Sequence, residues 1–373
     1  MSIQEISTPY LIFLGAVENS RDAKTGQGLV DWRPELCVGQ LRYPGCSADL
    51  GLPDMTVAEA YDRGARSLVI GIASFGGRFE PEWVDTFEEA MLAGLDIASG
   101  MHTRLRSESR LAGVAEKTGR RLIDVRVPPE GIPVGSGRRR SGNRVLMVGT
   151  DCCVGKKYTA LAMHRELLSR GQNATFRATG QTGIMIAGSG IPMDAVVSDF
   201  LAGAAEMLSP DNDAGHWDVI EGQGSLFHPA YAAVALGLLH GSQPDALVLC
   251  HDASRSHIDG YPDFPIAPLA TCIDRYLDAA RLTSTEVRFA GISLNTANLD
   301  APGRAAAIAR ARHETGLPVV DPIATVAAPL VDSLADLSRS KTKHRTERRL
   351  ELPVKIAVRR DRADILVRAR LTE

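Results

Sequence analysis

Residues 144–171, RVLMVGTDCCVGKKYTALAMHRELLSRG, constrain the fold more than any other stretch of the chain. RVLMVG has the near-continuous apolar composition of a strand covered on both faces. Glycines then bracket a short turn, and KKYTALAMHRELLSRG places its apolar residues on one helical face before closing at Gly171. A strand that runs through a glycine-rich turn into a helix belongs to a parallel sheet, because parallel strands need a crossover and a helix supplies it. The flanking sequence keeps the same rhythm. YLIFLG, LCVGQL, SLVIGIA, LDIAS and RLIDVR precede it, and NATFRATG, WDVIEGQG, DALVLCHD, EVRFAGISLN and PVVDPI follow, with helical segments between most of them.

The chain is therefore expected to be α/β, with a Rossmann-like parallel-sheet domain over residues 1–126 and a P-loop NTPase-like α/β domain over residues 144–336. Two domains also suit 373 residues. Between them VPPEGIPVGSGRRRSGN, residues 127–143, concentrates Pro, Gly, Ser and Arg and reads as a surface linker. Residues 337–373 form a basic extension that suits a final β-hairpin or a solvated tail equally, and no chemistry is assigned to it. No GxGxxG follows the first strand, so a dinucleotide is not indicated there.

Charge and composition narrow the partners. With 42 basic against 45 acidic residues, a net charge of -3 gives no general electrostatic reason to bind nucleic acid or an anionic membrane. The first twenty residues lack the features of a secretory signal and no apolar run reaches the length of a membrane span, so a cytoplasmic protein is expected. The six cysteines show no CxxC pairing, which favours reduced thiols. Chains of this size and class often pair, so a homo-oligomer is expected.

The turn itself, GTDCCVGKK, has the spacing of a phosphate cradle. Gly149 and Gly155 let the backbone wrap an anion, Thr150 and Asp151 lie between them, and Lys156 neutralises a pyrophosphate at the start of the helix. Lys157 breaks the pattern. An ATP-cleaving loop has Ser or Thr there to hold Mg²⁺, and a charged lysine has no lone pair to offer a metal. Thr159 is no substitute, since two residues along a helix turn it about 200° away. The loop reads as one that grips phosphate without cleaving it, with no metal expected and coenzyme A as the leading ligand. Asn295, just after a later strand, stands where related P-loop folds often read adenine, and it suits the start of a turn equally.

Other polar residues cluster at predicted strand ends, where open α/β sheets build their sites. Glu221 in EGQGSLFHPAY is the expected general base, with Gln223, Ser225 and His228 in the same loop; Ser225 is a candidate oxyanion donor. Arg177, Gln181 and Thr182 in FRATGQTG suit a carboxylate-bearing substrate, with Arg177 as its bidentate partner. Asp194 and Asp199 are reserve bases, against helix capping and plain surface exposure as alternatives. Arg255, in a loop with His251, Asp252 and His257, is a candidate for a second carboxylate; the two histidines lack zinc spacing. Cys152 and Cys153 read as packing residues of the loop. Lys24, Arg33 and Arg42 lie in a glycine-containing stretch that either closes over the site or forms a surface loop.

Together GTDCCVGKK, ATGQTGIMI, DAVVSDFLAGAAE, EGQGSLFHPAY and PDALVLCH resemble a bacterial P-loop family that contains the DgcN-type D-glutamate N-acetyltransferases. The likeness runs over about residues 8–330. It implies a Rossmann-like domain joined to a P-loop domain, and transfer of an acetyl group from acetyl-CoA to the amine of D-glutamate, an amino-acid substrate. By motif position it carries the cofactor role to Gly149, Thr150, Asp151, Gly155, Lys156 and Lys157. An ATP-dependent ligase or kinase like dethiobiotin synthetase shares the loop spacing and is the alternative, and a nucleotide-sensing module is a third reading; Lys157 argues against the ligase.

Overall fold

The computed structural model describes residues 5–72 and 79–336. The extension after Asp336, with its expected hairpin or tail, lies outside them. The chain divides into two compact units, residues 1–334 and 335–373, and the first holds both sheets.

The N-terminal part runs β1 (Tyr10–Gly15), α1 (Lys24–Trp32), β2 (Cys37–Arg42), α2 (Val57–Asp62), β3 (Ser67–Ile70), α3 (Pro81–Leu92), β4 (Asp96–Ser99), α4 (Ser109–Thr118) and β5 (Leu122–Asp124). Its five strands are all parallel in the order β2-β1-β3-β4-β5. That order reverses between β1 and β3, so the crevice of this sheet opens beyond their carboxyl ends, where α1 begins. β1 is wholly buried, and Phe13 packs edge-on against Tyr43, Trp83 and Phe87 with centroids 5.0–5.5 Å apart.

The second part runs β6 (Asn143–Gly149), α5 (Lys156–Ser169), β7 (Ala174–Arg177), α6 (Gln181–Ala187), α7 (Leu201–Leu208), β8 (Trp217–Ile220), α8 (Ala232–Ser242), β9 (Ala246–Asp252), β10 (His257–Ile258), β11 (Tyr261–Pro265), α9 (Leu269–Arg281), β12 (Arg288–Asn295), α10 (Ala301–Thr315) and β13 (Val319–Val320). Six parallel strands are ordered β13-β12-β9-β6-β8-β7. β6 sits between β8 and β9, so the chain leaves this sheet's centre directly at its switch point. All eleven runs read as strands in the sequence carry one. The antiparallel hairpin β10–β11 was not foreseen, although Asp259-Gly260 between Ile258 and Tyr261 is a two-residue turn signal, and Gly260 takes the left-handed φ of 78° that such a turn needs.

Residues 127–142 hold no helix or strand and nearly all are at least partly exposed, with the arginine end of the segment tied down. Arg140 is buried and donates to the carbonyls of Ser209, Gly241 and Ser242 at 2.7–3.0 Å. Arg139 pairs with buried Asp245, which also accepts from the Arg144 backbone at 2.8 Å. The arginine run strings the chain along α7 and α8 and delivers it, in register, into β6. Arginines suit this because the planar fork satisfies several carbonyls at once.

Candidate active site at the phosphate loop

Beyond β6 the backbone turns through Gly149 to Gly155 and enters α5. A Cβ on Gly149 would stand 2.9 Å from both the Asp151 carbonyl and the Lys156 ammonium, and Gly155 has a φ of 98°, so both positions require glycine. Cys153 also adopts a left-handed φ of 54° at the tip of the turn. Lys156 is buried and donates to the Asp151 carbonyl at 2.7 Å, curling the loop around its own cation. Tyr276 of α9, which the sequence gave no reason to single out, supports the loop from beneath: its hydroxyl donates to the Gly149 carbonyl at 2.8 Å and accepts from the Leu226 N–H at 3.1 Å.

Asp151 and Thr150 anchor the loop from within. The buried Asp151 carboxylate accepts from the Cys152 N–H at 2.6 Å, from Arg255 at 2.6 Å and from the Asp259 N–H at 2.9 Å. Arg255, a candidate substrate ligand, is thus already held by a loop carboxylate and by the Cys152 carbonyl at 2.8 Å. Thr150 lies 3.0 Å from Nδ1 of His251. His228 is buried with Nε2 3.9 Å from Asp151, while its Nδ1 accepts from the Ala230 N–H at 3.1 Å. That bond assigns the proton to Nε2, so the cluster of Asp151, Cys152 and His228 offers no ring lone pair to a cation or to the thiol. Burial pushes the Cys152 thiol up to about 11, which makes it a poor nucleophile. Asn295 stands beside Gly155 and reaches Asp252 at 3.4 Å, at one side of a cleft of about 440 Å³ lined by Asp252, residues 254–262 and Asn298.

Glu221 follows β8 and is buried. One carboxylate oxygen accepts from the N–H groups of Thr179 and Gly180, at 2.9 and 3.1 Å, and a Cβ on Gly183 would fall 2.2 Å from it. Desolvation raises its pKa, against those two bonds and the charge of Lys157. Gln223 bonds to the Thr179 hydroxyl at 3.1 Å, while Ser225 is fully buried and accepts from the Phe227 N–H at 3.2 Å. Arg177 turns away from this crevice: it binds Asp218 at 2.7 Å, two residue pairs back along β8.

The N-terminal domain supplies the other wall. Thr182 of α6 donates to Thr25 of α1 at 3.1 Å, Arg33 donates to the Ile186 carbonyl at 2.9 Å, and Tyr158 bonds Asp31. Trp32 stacks edge-on against Tyr158 at 5.9 Å, and Arg165 lies over the Trp32 ring at 5.0 Å. Gln181 packs on Gly100 at the end of β4. So the stretch holding Lys24 and Arg33 is a helix docked on the phosphate loop, while Arg42 pairs with Asp54, away from it. Asp194 is ion-paired with Arg126, which also donates to the Gly100 carbonyl at 2.5 Å; Asp199 is exposed in a 3₁₀ turn.

Lys157 lies in this seam. A Cβ on Gly28 of α1 would be 2.6 Å from its ammonium and 2.7 Å from a Thr182 methyl. The ammonium sits 5.0 Å from the Tyr158 ring centroid, and desolvation lowers its pKa to about 8 despite the neighbouring charges of Glu221 and Asp31.

Residues 133–331 match the family described as a domain of unknown function, DUF1611_C, a P-loop domain, and residues 42–128 match its Rossmann-like DUF1611_N partner. A D-glutamate N-acetyltransferase of Tritonibacter scottomollicae is 51% identical over 330 residues, covering 88% of this chain and 99% of that protein. One of a Pseudoalteromonas species is 43% identical over 319 residues, covering 86% and 96%. The crystal structure of a DUF1611 family protein from Anabaena variabilis superposes with a TM-score of 0.81 at 35% identity, covering 88% of this chain and all of that one. With a parallel-sheet Rossmann-like domain docked on a phosphate-loop domain, and with relatives matched along most of its length, this chain belongs to the DUF1611 family.

Proposed function

We propose that the chain is a D-glutamate N-acetyltransferase that draws its acetyl group from acetyl-CoA. The observation that carries the donor is Lys157 at the position of the metal-holding hydroxyl. A loop with two lysines at its helix start suits a pyrophosphate that is held rather than cleaved. The two curated relatives, matched over 99% and 96% of their lengths, support the acceptor and the reaction class.

Acetyl-CoA brings a thioester whose carbonyl is open to an amine. Gly149, Gly155, Lys156 and Lys157 hold its phosphates, with Thr150 and Asp151 keeping the loop in shape. The amine of the amino acid forms the new C–N bond as the C–S bond breaks; its proton leaves to a base and the thiolate takes one up. Glu221 is the crevice carboxylate we assign to that base. The assignment requires the pantetheine arm to turn back over the end of β8, since an extended arm of about four residues' length reaches roughly 13 Å from the pyrophosphate. Gln181 and Thr182 face the same seam and are assigned to the amino acid's side of the site; Arg177 and Arg255 shape its walls through Asp218 and Asp151. The enzyme is proposed to work in the cytoplasm, and among the described residues no helix is long and apolar enough to cross a membrane.

A specific ligand stabilises the folded state by mass action, by about 2.7 kcal/mol at a hundredfold excess over Kd. A thermal-shift comparison is expected to show stabilisation by acetyl-CoA and none by ATP with magnesium. The reverse pattern would establish the ligase reading instead.

A further inference from the structure

We propose that the phosphate site is completed across the domain boundary, with Lys24 of the N-terminal domain supplying a cation to the anion held by the loop of the other domain. The inference rests on the reading of that loop as a pyrophosphate cradle.

Lys24 is the first residue of α1, and its ammonium reaches Cys153 at the tip of the loop, 3.6 Å from the sulfur. A thiol is a weak acceptor, and among the described residues no carboxylate lies within ion-pair distance of Lys24. The same holds for Lys157, which lies 5.0 Å from the Tyr158 ring centroid, and for Lys156, which is bonded to a backbone carbonyl. Other cations nearby do have carboxylates: Arg255 has Asp151, Arg33 has Glu35 and Arg42 has Asp54. Three ammonium groups from two domains therefore lie at or beside the start of α5, none of them in an ion pair among the described residues.

The arrangement is not an accident of a long side chain. α1 is fixed against α5 and α6 by the Thr25–Thr182, Arg33–Ile186 and Asp31–Tyr158 contacts, and Gly28 admits the Lys157 ammonium where any side chain would collide with it. Like charges held together in this way repel. After desolvation and the opposing carboxylates, Lys24 is among the charges that hold Lys157 down to about 8. A bound dianion relieves that repulsion and bridges the two domains, with α1 already docked beside the loop. Lys24 remains exposed, accessible to a ligand entering from solvent.

The test is calorimetric titration of the full chain with inorganic pyrophosphate and, separately, with acetyl-CoA, for wild type, Lys24→Gln and Lys24→Arg. Charge-assisted bonds of this kind are worth about ten- to a hundredfold in affinity. Lys24→Gln is expected to weaken both ligands by that factor and flatten the salt dependence, while Lys24→Arg stays within about threefold of wild type. Without ligand, Lys24→Gln melts no lower than wild type, because removing it relieves repulsion. Binding of both ligands by Lys24→Gln within about twofold of wild type overturns the proposal, as does a wild type that binds neither. Lys24-dependent binding of pyrophosphate without any binding of acetyl-CoA leaves the cross-domain site standing and removes the acyl-donor reading alone.

Discussion

Glu221 meets two requirements that pull against each other: a base must be ionised to accept a proton, and burial favours its protonated form. The pKa is raised, so ionised Glu221 costs stability. Both folded and unfolded states are protonated below the ordinary carboxylate range near pH 4, and the cost is absent there. It grows as pH rises through that range and is complete above the folded-state pKa. Glu221→Gln is therefore expected to melt higher than wild type at pH 7–8, with the advantage vanishing by about pH 4. The same variant is expected to lose about 10²- to 10⁴-fold in kcat/KM while acetyl-CoA binding is kept. A variant that keeps full rate and the wild-type pH profile would remove Glu221 from proton transfer.

At the scale of elements, the sheets were legible because their signals are local. Apolar runs such as YLIFLG and RVLMVG announce buried strands by themselves, and the strand, glycine turn and helix of the phosphate loop are contiguous in sequence. The partners of the charged residues were not legible. Arg177 is satisfied by Asp218, 41 residues on, and Arg255 by Asp151, 104 residues back, so free-looking cations in the sequence proved to be structural ties. The arginine-rich segment before β6 hides its ties in the same way. Arg139 and the fully buried Arg144 both depend on Asp245 at the start of β9. Removing that carboxylate leaves buried positive charge uncompensated, and Asp245→Ala is expected to cost about 3–5 kcal/mol in chemical denaturation. A loss under about 1 kcal/mol would mean that the carbonyls alone satisfy these arginines.

Across the whole molecule, the proposed site is a seam between two crevices rather than a pocket in one domain. The sequence marked the loop and Glu221 on one side, but it could not say that α1, whose Thr25 lies 157 residues from Thr182, forms the other wall. That long-range docking puts Lys24, Gly28 and Lys157 together and underlies the proposal that the Rossmann-like domain takes part in binding, although its first strand carries no dinucleotide motif. It also sharpens the meaning of Lys157. A hydroxyl at that position would face a metal; an ammonium there faces α1, as a site shared by two domains requires.

The claim that these parts make an acetyltransferase is tested most directly by mixing the full chain with acetyl-CoA and D-glutamate and following free thiol release. Release that requires D-glutamate, is unaffected by a magnesium chelator and falls with Glu221→Gln is the predicted result. No release above background with D-glutamate or any other amino acid would contradict it.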